Sequence, residues 1–346
     1  MSLSKKIYLY YTDPGCSTIF SLYVQALENQ TDYVKVASGY GEKLLSKSGE
    51  EFLSLPEALK VIKPGDVFVL GSQTNFEETV QTIKSLKAKA VKTVFVFDHW
   101  THYREHFIDK EGNLNFPDKI LTCDKVINDN LLSLGCDCDQ LAIVGQANIE
   151  YQINSFDDLD KGEISAWKQS LCANQKLWLL ALEPLKTDFS HENYTMEFDE
   201  YRITKLVIEK LAKIEGNNKL MIRLHPRQNL EEFESFLKLE QLSSSVVLCP
   251  SNKSVTEAIA VSDFILGIYS VFLVIAQSVG KPVTVLRFNE RDSYNVVDIP
   301  YLSNFIVQDP CKLESRLSQQ MSISNTFVFK PEKSIQCMRI QIEDYA

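Results

Sequence analysis

Short apolar runs alternate with longer amphipathic stretches along the whole chain. In the first half these runs predict strands at 6–11, 33–37, 67–71, 93–97, 119–123 and 141–145. They are continuous rather than alternating, which is typical of parallel strands covered on both faces. The stretches between them predict helices at 17–29, 54–62, 75–88 and 125–134. The pattern therefore predicts a doubly wound parallel α/β sheet.

The alternation pauses at an acidic, turn-rich stretch that contains NSFDDLDKGEIS, and then it begins again. We place the linker between two domains near 147–170. Beyond it, strands are predicted at 176–182, 220–224, 245–248, 264–267 and 283–287. Helices are predicted at 194–215, 228–240, 253–261 and 270–279. We expect two Rossmann-like domains that face a cleft, with ligands at the carboxyl ends of the strands.

The predicted domains are an N-terminal, acceptor-side domain at 1–155 and a C-terminal, nucleotide-donor domain at 156–330. A helix at 331–346 is expected to pack back on the first domain. A length of 346 residues suits two domains of this size.

Composition narrows the classes of function. The net charge is −10, which argues against a nucleic-acid partner or broad binding to anionic membranes. No apolar run approaches the roughly 20 residues needed to span a bilayer, so we expect no transmembrane segment and a cytoplasmic protein, with peripheral membrane contact left open. The eight cysteines form no CxxC pair, and no P-loop motif occurs, so we expect neither a bound metal nor a P-loop nucleotide site.

The stretch LMIRLHPRQN ends a predicted strand on an imidazole, a proline and a guanidinium. Pro226 disfavours the helical region for His225, which helps to aim its ring away from the sheet edge. His225 and Arg227 together suit a phosphate or pyrophosphate. The alternative is an ordinary solvated strand exit.

Two further strand ends carry hydroxyl groups. Ser251 and Ser254 lie where a loop enters a helix, although Ser254 and Glu257 also match the spacing of a capping box. Ser270 begins the helix after strand 264–267, where its hydroxyl and the backbone N–H groups can form an anion site. Glu183, after strand 176–182, is a further candidate for donor contact.

The segment FDHWTHYREHF follows strand 93–97 and contains three of the five histidines. Asp98 and His99 fall at the strand end. A neutral histidine beside a carboxylate suits a general base for an acceptor hydroxyl. The alternatives are a zinc site built from the three histidines and an amphipathic segment with a buried aromatic face.

The motif order LHP, then SDFILGIYS, then AQSVGKPVTVLRFNER, within residues 219–291, resembles the C-terminal half of GT-B superfamily enzymes. In that superfamily the second domain binds most of a nucleotide-sugar donor. The branch of bacterial sialyltransferase-like, capsule and CDP-glycerol transferases has a His-Pro motif like His225-Pro226. It also has a serine-bearing helix start like Tyr269-Ser270. The resemblance implies that these residues hold donor phosphates and that the donor is CMP-, CDP- or UDP-linked.

UDP-N-acetylglucosamine 2-epimerases resemble the chain more distantly, through Ala276–Arg287. That branch carries Ser-Gly-Gly and Glu-Glu ahead of its Gly-Lys-Pro turn. The corresponding positions here read Tyr269-Ser270-Val271 and Val274-Ile275. We therefore favour a transferase over an epimerase.

The expected function is transfer of a sugar or polyol phosphate from a nucleotide-activated donor to a hydroxyl of a glycan or lipid-linked acceptor, in bacterial surface polysaccharide synthesis. No metal and no cofactor beyond the donor are expected, because side chains and helix dipoles can stabilise the leaving phosphate. A UDP-amino-sugar 2-epimerase or hydrolase and a non-catalytic nucleotide-sugar-binding protein remain the alternatives.

Overall fold

The computed structural model describes residues 5–27, 33–188, 197–268, 270–288, 299–320, 329 and 331–345. The chain divides into two compact units. The first unit comprises Met1–Glu150 together with Pro331–Ala346, and the second comprises Tyr151–Lys330.

The first unit contains a sheet of seven parallel strands. In chain order they are β1 (Ile7–Tyr11), β2 (Tyr33–Ala37), β3 (Leu53–Ser54), β4 (Val67–Gly71), β5 (Lys92–Val96), β6 (Lys119–Thr122) and β7 (Leu141–Ile143). Their spatial order is β3-β2-β1-β4-β5-β6-β7. The helices are α1 (Pro14–Ala26), α2 (Gly39–Lys47), α3 (Leu55–Val61), α4 (Phe76–Ala88), α5 (Lys125–Ser133) and, from the C-terminal segment, α14 (Ser334–Glu343). Helix α6 (Ala147–Asp157) begins in this unit and continues into the second.

The second unit contains a sheet of six parallel strands. They are β8 (Lys176–Ala181), β9 (Asn218–Arg223), β10 (Val246–Leu248), β11 (Phe264–Gly267), β12 (Val283–Leu286) and β13 (Ile306–Val307), in the spatial order β10-β9-β8-β11-β12-β13. The helices are α7 (Lys161–Cys172), α8 (Leu185–Asp188), α9 (Glu200–Leu211), α10 (Leu230–Leu239), α11 (Val255–Val261), α12 (Val271–Ser278) and α13 (Leu313–Gln320).

Each sheet reverses its strand order at one point, between β1 and β4 in the first unit and between β8 and β11 in the second. Loops on either side of such a reversal lead to opposite faces of the sheet, so they leave a crevice at the carboxyl edge. Both units are therefore Rossmann-like, and each has one such crevice.

Continuous apolar strands supply both cores, as the sequence pattern predicts. All five residues of β1 and all five of β4 are buried. In the second unit Trp178 of β8 stacks on Phe264 of β11, with ring centroids 4.3 Å apart. Burying one large apolar side chain contributes about 1.5–3 kcal/mol, so these central strands anchor each sheet.

The boundary between the two units falls inside the predicted linker at 147–170, but most of that stretch is helical rather than turn-rich. It contains α6 and most of α7, and the unit boundary falls inside α6. Asp160 is a helix cap rather than a turn residue, since its carboxylate accepts from the backbone N–H groups of Gly162 and Glu163.

The C-terminal helix α14 belongs to the first unit. The Glu150 carboxylate accepts from the backbone nitrogens of Lys333 and Ser334 at 2.7 and 2.6 Å. Met338 and Ile342 are buried in the core of this unit. Within the described ranges, no helix is both long and apolar enough to cross a bilayer.

Candidate functional site

The carboxyl edge of the second sheet brings several of the predicted residues to neighbouring strands. Glu183 follows β8, His225 follows β9, and Ser270 follows β11. Because β8 lies between β9 and β11, Glu183 occupies the middle of this group, next to the reversal of strand order.

His225 is held as a neutral imidazole with one defined proton. Its Nδ1 accepts from the backbone nitrogen of Arg227 at 3.1 Å, so the proton of the neutral ring lies on Nε2. Burial, with a smaller contribution from the charge of Arg227, lowers the pKa of His225 to about 3. Nε2 lies 3.8 Å from Oε2 of Glu183. At neutral pH this contact is therefore not an ion pair, and Nε2–H is a hydrogen-bond donor.

Gln228 fixes the backbone of the His225 loop. Its Oε1 accepts from the backbone nitrogen of His225 at 2.7 Å, and its side chain also bonds the carboxylate of Glu200. Glu200 is buried and accepts from the backbone nitrogen of Lys186 at 2.9 Å. Burial raises the pKa of Glu200. This chain of contacts ties the loop after β9 to the loop after β8. Sequence reasoning missed Glu200 and Gln228, because neither belongs to a motif.

The remaining donor-side candidates have more local roles. Ser254 is the N-cap of α11 and forms a complete capping box with Glu257. Ser251 and Arg227 are exposed. Ser270 is the N-cap of α12, where its Oγ accepts from the backbone nitrogen of Phe272 at 3.3 Å.

Tyr269 lies outside the described residues. Arg223, the last residue of β9, contacts the loop before α11. Its Nη1 donates to the backbone oxygen of Lys253 at 3.0 Å.

In the first unit, the carboxyl group of Asp98 lies against the first turn of α1. A Cβ placed on Gly15 would come 1.6 Å from Oδ2 of Asp98, so only glycine leaves room for this carboxyl. The backbone of Asp98 is held from two sides. Its nitrogen donates to Oγ of Ser72 at 3.3 Å, and its oxygen accepts from Nε2 of Gln146 at 2.9 Å.

Burial, with a smaller contribution from the nearby charge of Asp13, raises the pKa of Asp98 to about 6. Asp13 links the loop after β1 to the loop after β4. Its Oδ2 accepts a hydrogen bond from the backbone nitrogen of Thr74 at 2.8 Å. Asp98 is thus a carboxylate near neutral pH with an unusually high proton affinity, which is the property that a general base requires.

His99 is less suited to that role. Burial lowers its pKa to about 4, and its Nδ1 lies 3.3 Å from Oγ1 of Thr101. The neighbouring Trp100 is fully buried and donates from Nε1 to Oδ2 of Asp124 at 2.7 Å. Trp100 thus anchors this loop in the core. Of the two candidates in the loop, Asp98 is a stronger base than His99, because its pKa is higher.

The three histidines of this segment do not form a metal-ligand group. The described residues contain one candidate group, the exposed Asp137, Cys138 and Asp139, and no histidine belongs to it. His106 is instead part of the aromatic core, with its ring centroid 5.1–5.6 Å from those of Phe76, Phe95 and Phe97. Its Nδ1 is buried, with no hydrogen-bond partner among the described residues.

His106 should make the protein sensitive to acid. Burial lowers its pKa to about 3, whereas an unfolded histidine titrates near 6.5. Between these pH values the unfolded chain binds a proton that the folded chain does not. The free energy of unfolding should therefore fall by about 1.4 kcal/mol per pH unit as the pH drops through this window.

His106→Phe keeps an aromatic ring among the three phenylalanines and removes this titration. The variant should melt at a temperature similar to that of the wild type at pH 8 and at a higher temperature at pH 5. Melting curves of both proteins from pH 8 to pH 4 test this. Parallel pH dependences would show that the pKa of His106 is not lowered in the folded protein.

Comparisons with known proteins show the fold. No protein-family model matches the sequence, and no curated protein matches it. The UDP-GlcNAc 2-epimerase of Methanocaldococcus jannaschii, solved with UDP-GlcNAc and UDP, has a TM-score of 0.69 at 14% identity, over 99% of this chain and 100% of that chain. The UDP-GlcNAc 2-epimerase of Neisseria meningitidis, solved with UDP-GlcNAc, has a TM-score of 0.69 at 15% identity, over 98% and 99%. A glycosyltransferase from Rickettsia africae has a TM-score of 0.61 at 11% identity, over 99% and 98%.

These similarities span whole chains, and they confirm the predicted GT-B type of fold with two Rossmann-like domains. At such low identity they establish the fold and leave the activity to be argued from the site.

Proposed function

We propose that the protein is a GT-B-type glycosyltransferase that transfers a sugar, or a polyol phosphate, from a nucleotide-activated donor to an acceptor hydroxyl. The observation that carries this proposal is the orientation of His225. A neutral imidazole, with its Nε2–H beside the end of β8, is prepared to donate to a phosphate oxygen.

In this proposal the second unit holds the donor. Nε2–H of His225 donates to a phosphate oxygen, and the backbone N–H groups that begin α12 face the same phosphates. Arg227 supplies positive charge near the loop. Hydrogen bonds that strengthen as negative charge develops on the leaving phosphate lower the barrier to bond cleavage.

For a sugar donor, the acceptor oxygen attacks the anomeric carbon. The bond from that carbon to the phosphate oxygen breaks, and its electron pair leaves with the nucleotide. The acceptor proton passes to the carboxylate of Asp98, whose pKa of about 6 keeps it ionised at pH 7 and still basic. His99 remains the secondary candidate for this base. We propose that the chemistry needs no metal, that the acceptor is a glycan or a lipid-linked glycan, and that the setting is bacterial surface polysaccharide synthesis in the cytoplasm.

His225→Ala should abolish stabilisation by the donor nucleotide. Melting temperatures are measured with CMP, CDP, UDP and GDP for the wild type, for His225→Ala and for the control His99→Ala. One nucleotide should raise the melting temperature of the wild type and of the control, but not that of His225→Ala. This result would also identify the donor base. Equal stabilisation of all three proteins would exclude His225 from the site, and the absence of any shift would contradict nucleotide binding.

The second candidate is a UDP-amino-sugar 2-epimerase or hydrolase, which the named activities of several fold neighbours favour. It would turn over UDP-GlcNAc without an acceptor, which a transferase would not. The structure gives a reason to prefer the transferase. Val274 and Ile275 are buried and apolar where the epimerase pattern has two glutamates, so two polar groups of that pattern have no counterpart here.

A further inference from the structure

A groove lies between α9 and α10 on the second unit. It consists of two cavities of about 440 and about 300 Å³, which share Lys186, Tyr201 and Glu232 as lining residues. Both volumes reach the range of roughly 300–1,000 Å³ that is typical of small-molecule sites. We call this feature the α9–α10 groove. None of the three shared side chains has a role in the reaction proposed above, although Arg227, which is assigned there to the donor, also lines the smaller cavity.

The charges along the larger cavity are balanced. Its lining contains three basic and three acidic side chains, namely Lys186, Arg202, Lys205, Asp199, Glu232 and Glu240. Two of them pair directly, since Nζ of Lys205 lies 2.6 Å from Oε1 of Glu240. Such a lining produces little net field, so it favours an uncharged ligand over a polyanion or a polycation.

The apolar part of the same cavity consists of two aromatic rings and a leucine. Tyr201 and Phe236 pack edge to face, with centroids 4.8 Å apart. Nζ of Lys186 lies 5.5 Å from the centroid of Tyr201, and Nζ of Lys205 lies 5.9 Å from that of Phe236. Each lysine therefore places its ammonium group over an aromatic ring, in a cation–π contact. Leu239 also lines the cavity and is 83% exposed.

The smaller cavity adds amides and hydroxyls. Its lining includes Thr187, Tyr201, Gln228 and Asn229. Amide side chains carry donors and acceptors together, and hydroxyls can act as either. A ligand rich in hydroxyl groups needs both kinds of partner, because each of its hydroxyls also donates and accepts.

From this lining we propose that the α9–α10 groove is a binding site for a neutral oligosaccharide. A sugar ring has C–H groups on its faces and hydroxyls around its edge, which matches apolar walls rimmed by donors and acceptors. Two adjoining cavities suit a chain of sugars better than a single one. The inference goes beyond the proposed reaction and does not depend on it.

Ser235→Trp blocks the groove with little risk to the fold. Ser235 is exposed, lines the larger cavity and makes one hydrogen bond, from its Oγ to the backbone oxygen of Glu231. Ser318 on α13 is the matched control. It is also exposed, and it bonds the backbone oxygen of Glu314 in the same way. Ser318 is not among the residues that line either cavity.

Saturation-transfer NMR and calorimetry are performed with hexasaccharides of glucose, of N-acetylglucosamine and of galactose, and with a heparin-derived hexasaccharide. At least one neutral hexasaccharide should bind the wild type and Ser318→Trp equally. Its affinity for Ser235→Trp should fall by about tenfold or more.

Three outcomes would overturn the proposal: no neutral hexasaccharide binds, Ser235→Trp and Ser318→Trp bind equally well, or heparin binds in place of the neutral sugars. Nucleotide-induced melting shifts of Ser235→Trp are measured in parallel. Failure of the proposed function would remove those shifts from every variant, whereas failure of the groove proposal would leave them intact.

Discussion

Asp98→Asn should lower turnover by about 10²–10⁴-fold, which is the usual contribution of a positioned general base. Asparagine keeps the size of the side chain beside Gly15 but cannot take the acceptor proton. Nucleotide-induced stabilisation should be unchanged, because the donor is assigned to the second unit. Turnover is measured as nucleotide release from a sugar donor that carries the base identified in the melting experiment.

The pH dependence of turnover distinguishes loss of the general base from a merely structural effect of Asp98→Asn. Burial raises the pKa of Asp98 to about 6, so the wild type should lose activity as the pH falls through 6. The remaining activity of Asp98→Asn should lack this acid limb. Asp98→Asn should also be no less stable than the wild type at pH 7.5, because its folded state buries no charge at this position.

Full activity in Asp98→Asn would exclude Asp98 as the base, and the same experiment on His99→Asn would then test the secondary candidate. A wild type that binds a nucleotide but never consumes the acceptor or the sugar donor would instead be the non-catalytic binding protein.

Gly15→Ala should destabilise the first unit by about 1–3 kcal/mol, or roughly 3–10 °C in its melting temperature. The new Cβ would lie 1.6 Å from Oδ2 and 2.8 Å from Cγ of Asp98, so the whole carboxyl group must move. Elsewhere in a helix the same change is favourable by as much as about 1 kcal/mol. A destabilising effect would therefore come from the contact with Asp98.

A double-mutant cycle isolates that contact. When Asp98 is already alanine, Gly15→Ala should be neutral or stabilising. Melting curves of the four proteins give the coupling energy between the two positions. Equal costs of Gly15→Ala in both backgrounds would show that the carboxyl of Asp98 does not lie against α1.

The continuous apolar strands were predictable because five or six consecutive apolar residues admit few other structures. The strands β3 and β13 could not be predicted, because two residues are too few to form a recognisable hydrophobic pattern. Helix α2 was missed because Gly39 and Gly41 weaken its helical signal. One of them has a structural reason, because a Cβ on Gly41 would lie 2.3 Å from the backbone oxygen of Tyr11.

The acidic stretch around Asp157, Asp158 and Asp160 was predicted to be part of a turn-rich linker, but it forms only the short connection between α6 and α7. Acidic residues are common both in turns and at the first residues of helices, and the sequence alone does not separate the two cases. The hydrogen bonds of Asp160 identify it as the N-cap of α7.

The candidate site was predictable to the level of strand ends. His225, Glu183 and Asp98 were found because the carboxyl edge of a parallel sheet collects ligand-binding groups. The residues that contact them could not be predicted from the sequence. Gly15, for example, packs against Asp98 although the two are 83 residues apart in the chain (98 − 15). The link from Gln228 to Glu200 likewise depends on tertiary packing, which local patterns do not encode.

The division of the first unit into two chain segments constrains how the protein is made. During synthesis Met1–Glu150 precedes the whole second unit, and the second unit precedes the segment that contains α14. Until then the surface that receives Met338 and Ile342 is uncovered, and Glu150 has no helix to cap. Domains usually complete their folding in the order of synthesis. Here the unit that begins first must be finished last, so the nascent chain carries an incomplete N-terminal core throughout translation of its second half.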